Sequence, residues 1–269
     1  MRSLLARHTG TEPSNVREPR DWRGTGCAER AVMDRPLVVS HRGKTAGSAA
    51  ENSLTAIREA AAAGADLVEL DLRLSLDRRA IVLHDAFLQR STHGRGWVRL
   101  YPSGVLRRIS LRHSASERVP VLDDLLPAIP ATVQPALHLK DHTALSATLR
   151  AVERTGDPSR TWLWLDRLEH IRHAVAQFPS IRCTYLPTEA RTPSELTAIF
   201  PGVRKAGAAA VGVDADQVNA ELVADATAHG LRLFAMLYDW QWELLPELVA
   251  NGIGGVISDD PGRVREAFA

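Results

Sequence analysis

The chain has 269 residues, 45% hydrophobic and 24% charged, the balance of an ordinary globular protein with enough length to bury a full core. Its 33 basic and 32 acidic residues leave a formal charge of +1, so no bulk electrostatic footprint points to nucleic acid or an anionic membrane, and any anion binding must be local. No stretch reaches the roughly 18 to 20 apolar residues of a membrane span, and the N-terminus carries only "LLA" where an export signal needs about 7 to 15; no stable membrane insertion and a cytoplasmic location are expected.

Residues 1–34 mix Arg, Glu, Gly, Pro and Thr without apolar period and read as a disordered extension ahead of one folded domain over 35–269. Met33, just before the folded pattern, is an alternative starting residue. Cys27 and Cys183 form neither a disulfide framework nor a CxxC motif, and Cys183, in "IRCTYL", reads as a small core residue. From residue 36 short β-rich runs alternate with helical ones. "PLVVSH" is followed by "SLTAIREAAAAG", where Leu54, Ile57 and Ala61 share a face and Gly64 stops the helix. "DLVELDLRLS" and "AIVLHD" are two extended runs separated by the turn-like "LDRR". "TVQPALHLKD", "TWLWLD", "IRCTYLP", "AAVGVDA", "LRLFAMLYD" and "GGVISD" each precede a helical pattern, and Thr192 and Pro193 ahead of Glu195 read as a capped helix start. About eight strand-then-helix units predict a closed α/β (β/α)8 TIM barrel, with an open doubly wound sheet as the alternative.

Chemistry-bearing residues gather where strands end. "HRG" closes the first strand with His41 and Arg42; alone it is equally well the polar exit of a strand. In "LVELDLRL" the two-residue period puts Glu69, Asp71 and Arg73 on one face, with Val68, Leu70 and Leu72 on the other. Inside a barrel two such carboxylates require compensation, most simply a divalent metal; at an exposed strand end they would pair with Arg73 or another base. His84 ends "IVLHD" as His41 ends its run, and two convergent strand-end histidines supply an acid and a base. In "LHLKD", His138 and Lys140 share a face, and a strand-end lysine suits a phosphate or snorkels at the surface.

Taken together, "HRG", "EN", "GADLVELD", "HD", a later strand ending in lysine and "GVISDDP" resemble the glycerophosphodiester phosphodiesterase family, a phosphatidylinositol-specific phospholipase C-like TIM barrel, over about residues 37 to 265. The resemblance implies metal-dependent cleavage of phosphodiesters. It implies His41 and His84 as the acid/base pair, Arg42 and Lys140 as phosphate contacts, Glu69 and Asp71 as metal ligands and Glu51 as a polar support. The family's third acidic ligand stands two residues before the lysine, where this chain has His138. The resemblance implies one divalent ion, Mg2+ or Ca2+; His138 as third ligand would turn the site toward Mn2+, Co2+ or Zn2+. Met236 stands where the family often has a tryptophan, and "STHGRGWVRLYPSG" is expected to cover part of the barrel mouth.

The expected activity is hydrolysis of a small-molecule glycerophosphodiester to glycerol 3-phosphate and an alcohol, a part of lipid metabolism, with no nucleic-acid partner. Two alternatives use the same site. One is lysophospholipase D-type cleavage, favoured if Trp97 and Tyr101 are exposed at the mouth; the other is a phosphodiester-binding barrel impaired by His138.

Overall fold

The computed structural model describes residues 35–44, 49–114, 116–188 and 192–269; the extension 1–34, with Met33 and Cys27, lies outside the described residues. The apolar runs form β1 (Leu37–Ser40), β2 (Leu67–Leu74), β3 (Ala80–Val82), β4 (Gln134–Leu139), β5 (Trp162–Leu165), β6 (Arg182–Tyr185), β7 (Ala210–Asp214), β8 (Arg232–Met236) and β9 (Gly255–Ser258). All but β3 are parallel, in the order β1-β9-β8-β7-β6-β5-β4-β2, and a β1–β2 pairing joins the ends. That closure makes the expected (β/α)8 barrel the fold and excludes the open sheet. β3 runs antiparallel to the upper end of β2.

Parallel strands need crossover connections, and the helical runs supply them. They are α1 (Leu54–Ala62), α2 (Leu145–Thr155), α3 (Leu168–Gln177), α4 (Pro193–Lys205), α5 (Ala220–Ala228) and α6 (Leu245–Ala250), and a last helix, α7 (Pro261–Ala267), follows β9. Four of these starts are capped by short polar side chains: Ser53 accepts from the Ala56 amide on α1, Thr192 and Glu195 form the expected capping box on α4, and Asn219 and Asp260 cap α5 and α7.

The period of the strands divides the core. Val68, Leu70 and Leu72 of β2, with Leu137 and Leu139 of β4, face the helices and join the main apolar cluster, which also holds Cys183. The opposite face fills the barrel, where Val39, Leu67, Trp162, Trp164, Phe234 and Ile257 pack together and the Trp162 and Phe234 rings meet at 5.6 Å. This aromatic layer floors the barrel, and the polar side chains of β2 and β4 stand above it, toward the C-terminal ends of the strands. The register sets Asp71 beside His138 and Glu69 beside Ala136.

The segment after β3 departs from expectation. Residues 91–104 do not line the barrel cavity; Leu88, Val98, Leu106 and Leu111 instead pack with Ile81 and Leu83 into a second small core beside β2 and β3. The sequence contains its own apolar anchors for that packing, so the loop is held at the side of the mouth.

Two glycines are required by shape. A Cβ at Gly255 would stand 2.9 Å from the Leu37 carbonyl oxygen, where β9 approaches β1. Gly43 has φ +82°, and its Cβ would fall 2.8 Å from a backbone carbon of Ala56. Gly43→Ala is therefore expected to destabilise the protein by about 2 kcal/mol or more. A urea midpoint equal to that of the wild type would show that the turn tolerates a side chain.

Candidate active site

β1 ends in a turn that could not run straight on. Arg42 has φ +56°, and with Gly43 it reverses the chain so that the Arg42 amide donates to Glu69 Oε2 at 3.1 Å. The returning segment brings Asn52, itself at φ +60°, onto Asp71: its side-chain amide donates to Asp71 Oδ2 and its side-chain carbonyl accepts from the Asp71 amide, both at 3.0 Å.

Glu69 and Asp71 are fully buried, which rules out the exposed strand-end arrangement. Leaving two such charges uncompensated in the barrel would cost several kcal/mol each. Arg42, Lys140 and His138 converge on them from three directions. Arg42 Nε lies 3.0 Å from Asp71 Oδ2, Lys140 Nζ 3.5 Å from Asp71 Oδ1, and His138 Nδ1 3.0 Å from Glu69 Oε1. Burial opposes ionisation of Glu69, but the hydrogen bond to His138 and the charges of His41, His138 and Lys140 outweigh it and hold its carboxyl below the usual range. Asp71 is pushed up, first by burial and then by the charge of Glu69.

Arg73, on the same face, does not pair with these carboxylates. It donates to the His84 carbonyl at 2.8 and 2.6 Å and to the Lys140 carbonyl at 2.9 Å, fastening the ends of β3 and β4 together.

The two histidines face one cavity of about 550 Å³, which Arg42, Glu69, His138 and Lys140 also line. Asp71 lies beneath that surface, and Glu51 stands behind Arg42, its Oε2 3.3 Å from Arg42 Nη1. Each histidine has its Nδ1 against a carboxylate: His41 with Asp259 at 2.9 Å, and His84 with Asp85 at 2.6 Å. A carboxylate accepts the Nδ1 proton, which leaves Nε2 for exchange with a bound molecule. The surroundings then push the two rings apart. Burial lowers His41, but the Asp259 hydrogen bond and the charge of Glu69 overcome it and raise its pKa above the ordinary 6.5. His84 is lowered, chiefly by burial, with Arg42 and Lys140 adding to it against Asp71 and Asp85.

Glu51 also accepts from Arg90 at 2.9 Å, and Arg90 pairs with Asp85. A continuous line of ion pairs thus runs from Arg42 through Glu51, Arg90 and Asp85 to His84. The far wall of the cavity is mixed, with Trp164, Leu186, Met236 and Tyr238 beside Asp166 and Asp214.

His41, Arg42, Glu69, His84, His138 and Lys140 therefore line one cavity, with Asp71 beneath it and Glu51 behind Arg42, while Trp97 and Tyr101 lie outside it. Asn52, Asp85 and Asp259 were missed as supports. Asn52 and Asp85 stood next to residues already chosen, in "EN" and "HD", and Asp259 within "GVISDDP", but short polar side chains beside a strand end are common enough in loops that position alone gave no signal.

Glu69, Asp71 and His138 can each direct one ligand atom to a common point, these atoms lying within 4.8 Å of one another. Asp71 Oδ1 is buried and accepts no hydrogen bond, its nearest charge being the Lys140 ammonium at 3.5 Å, which leaves room for a closer cation. Two carboxylate oxygens and an imidazole nitrogen suit a divalent metal ion.

The profile of the glycerophosphoryl diester phosphodiesterase family matches residues 41–263. The Bacillus subtilis protein YhdW, provisionally named for glycerophosphodiester phosphodiesterase activity, is 25% identical over 236 residues, covering 83% of this chain and 94% of that protein. A glycerophosphodiester phosphodiesterase of Caldanaerobacter subterraneus is 31% identical over 100 residues, 35% of this chain and 41% of that protein. Among solved structures, an Oleispira antarctica phosphodiesterase in complex with the product sn-glycerol-3-phosphate superposes with a TM-score of 0.76 at 23% identity, covering 87% of this chain and 96% of that one. With the barrel closed, the paired histidines facing one cavity and a profile match across nearly the whole domain, the chain belongs to the glycerophosphoryl diester phosphodiesterase family and is a phosphodiesterase.

Proposed function

We propose that the protein hydrolyses glycerophosphodiesters to glycerol 3-phosphate and an alcohol at the cavity between His41 and His84. The observation that carries this reading is the opposed environment of the two rings, each oriented by a carboxylate on Nδ1 and each lining the same cavity.

His84, held toward its neutral form, accepts through Nε2 the proton of the attacking hydroxyl, either water or the substrate's own glycerol hydroxyl. The new oxygen–phosphorus bond forms as the bond to the alcohol breaks. His41, held toward its protonated form, donates its Nε2 proton to that leaving oxygen. Arg42 and Lys140 offset the charge that gathers on the phosphoryl oxygens. Glu69, Asp71 and His138 would hold a divalent ion, which supplies polarisation of the phosphoryl group and a lowered pKa for the attacking hydroxyl. The imidazole in place of a third carboxylate favours Mn2+, Co2+ or Zn2+ over the harder Mg2+ or Ca2+.

Lysophospholipid cleavage at the same site is a second reading. It is favoured by the exposure of Trp97 beside the barrel mouth, but not by Tyr101, which is half-buried against the second small core.

His41→Ala and His84→Ala are each expected to lower turnover of glycerophosphocholine about 10² to 10⁴-fold. Near-wild-type rates in both would remove the histidines from the chemistry.

The pH profile of kcat/KM should be bell-shaped. Neutral His84 is lost as pH falls through its lowered pKa, placing the acid limb below 6.5, and protonated His41 is lost as pH rises through its raised pKa, placing the alkaline limb above 6.5. Asp259→Asn should move only the alkaline limb, toward lower pH; movement of the acid limb instead would exchange the two roles.

His138→Glu restores a third carboxylate and should tighten Mg2+ and Ca2+ binding by roughly tenfold or more in a calorimetric titration. Unchanged affinities would place His138 outside the metal site.

A further inference from the structure

The loop beside the barrel mouth has a composition unlike the rest of the chain. Residues 86–116 contain six arginines and no carboxylate, within a protein of net charge +1. Among the described residues no carboxylate pairs with Arg95, Arg99, Arg108 or Arg112, nor with Arg78 on the neighbouring β2–β3 turn, whereas Arg90 and Arg107 are each paired. Of the seven exposed large hydrophobic side chains among the described residues, five come from this same region: Leu76, Phe87, Trp97, Leu100 and Val105. Leu76 and Leu100 are 60% and 62% exposed.

These residues are tied into one surface. The Leu76 amide donates to the Tyr101 carbonyl at 3.0 Å, and Ser103 binds Asp77 through its amide at 2.8 Å, joining the β2–β3 turn to the loop. The Phe87 and Trp97 rings stack edge to face at 4.8 Å, and the Leu100 amide donates to the Trp97 carbonyl at 3.0 Å. The second small core beneath holds the backbone, so the exposed side chains are presented on a built platform rather than left over from an unformed one.

We propose that this surface, residues 76–112, docks the protein on an anionic lipid bilayer. Aliphatic and aromatic side chains flanked by unpaired arginines match the interfacial zone of a membrane, where apolar groups enter the acyl boundary and cations meet the headgroup phosphates. A second copy of the chain fits poorly, because a two-fold contact would set the same unpaired arginines against each other. Nucleic acid would satisfy the arginines and gain nothing from Leu76 and Leu100. The turn that carries Leu76 lies beyond the upper end of β2, the barrel end at which the cavity opens. Docking there sets the cavity beside the lipid surface. The inference does not depend on the hydrolytic reading.

The experiment is sedimentation of the full chain with vesicles of phosphatidylcholine alone and of phosphatidylcholine mixed with phosphatidylglycerol. The wild type should sediment with the mixed vesicles only and be released by salt. Arg95→Ala/Arg99→Ala should weaken partitioning by about fivefold per charge removed, and Leu76→Ser/Leu100→Ser should weaken it as well. Both variants should hydrolyse a soluble glycerophosphodiester at the wild-type rate, which keeps loss of docking distinct from loss of the site. Equal binding to both vesicle types, no binding at low salt, or full binding by both variants would overturn the proposal. So would a concentration-dependent dimer of the wild type that these variants abolish, since that would assign the surface to a second copy.

Discussion

The burial of Glu69 and Asp71 inside the barrel is the constraint around which the rest of the site is arranged. Both carboxylates are buried, and the barrel beneath them is filled with aromatic and aliphatic side chains that bring no charge. Their charge can be met only by groups from the flanking strands and from the turn that follows β1. β4 supplies His138 and Lys140, and the turn supplies the Arg42 side chain, the Arg42 amide and Asn52. The left-handed conformations of Arg42 and Asn52 follow from this demand. Each is costly for a residue with a side chain, and each is held where it places a donor on a buried carboxylate.

The same charges act beyond their immediate partners. Glu69 helps hold a proton on His41, while Arg42 and Lys140, which offset the carboxylates, help remove one from His84. Two rings with nearly identical carboxylate contacts are thereby driven in opposite directions. On His41 the Asp259 hydrogen bond and the charge of Glu69 outweigh burial, whereas on His84 burial, with Arg42 and Lys140 adding to it, outweighs Asp71 and Asp85. Paired titratable groups pushed apart by their surroundings are the arrangement that one acid and one base require.

The strands and helices were legible in the sequence because the strands are short apolar runs buried over most of their length, and because several helix starts carry short polar caps. The polar face of β2 was legible for the same reason: a period of two leaves Glu69 and Asp71 nowhere to point but inward once the sheet closes. The fate of Arg73 was not. Its position matched the carboxylates, but its length carries the guanidinium past them to two backbone carbonyls, which a strand-period argument does not detect. The placement of residues 91–104 failed for a related reason. Val98 within that segment and Leu88, Leu106 and Leu111 flanking it are spaced to build a core of their own, so the segment packs beside the cavity instead of lining it. Asp259 meets His41 across 218 residues of chain, a contact that depends on β9 closing against β1.

Arg90 shows why the side loop belongs to the site without entering the cavity. It comes from the segment that builds the second core, yet its guanidinium joins Glu51 and Asp85, the carboxylates that orient Arg42 and His84. Exposed ion pairs of this kind contribute little to stability, about 1 kcal/mol or less each. Their effect is geometric: the distance between the arginine on one loop and the histidine on the other is set by a bridge anchored outside both. Anything that shifts the loop, including its engagement with a surface, acts on that bridge before it reaches the barrel. The polar interior of the barrel is held by burial and charge, whereas the relative placement of Arg42 and His84 is held by a side chain that solvent can reach.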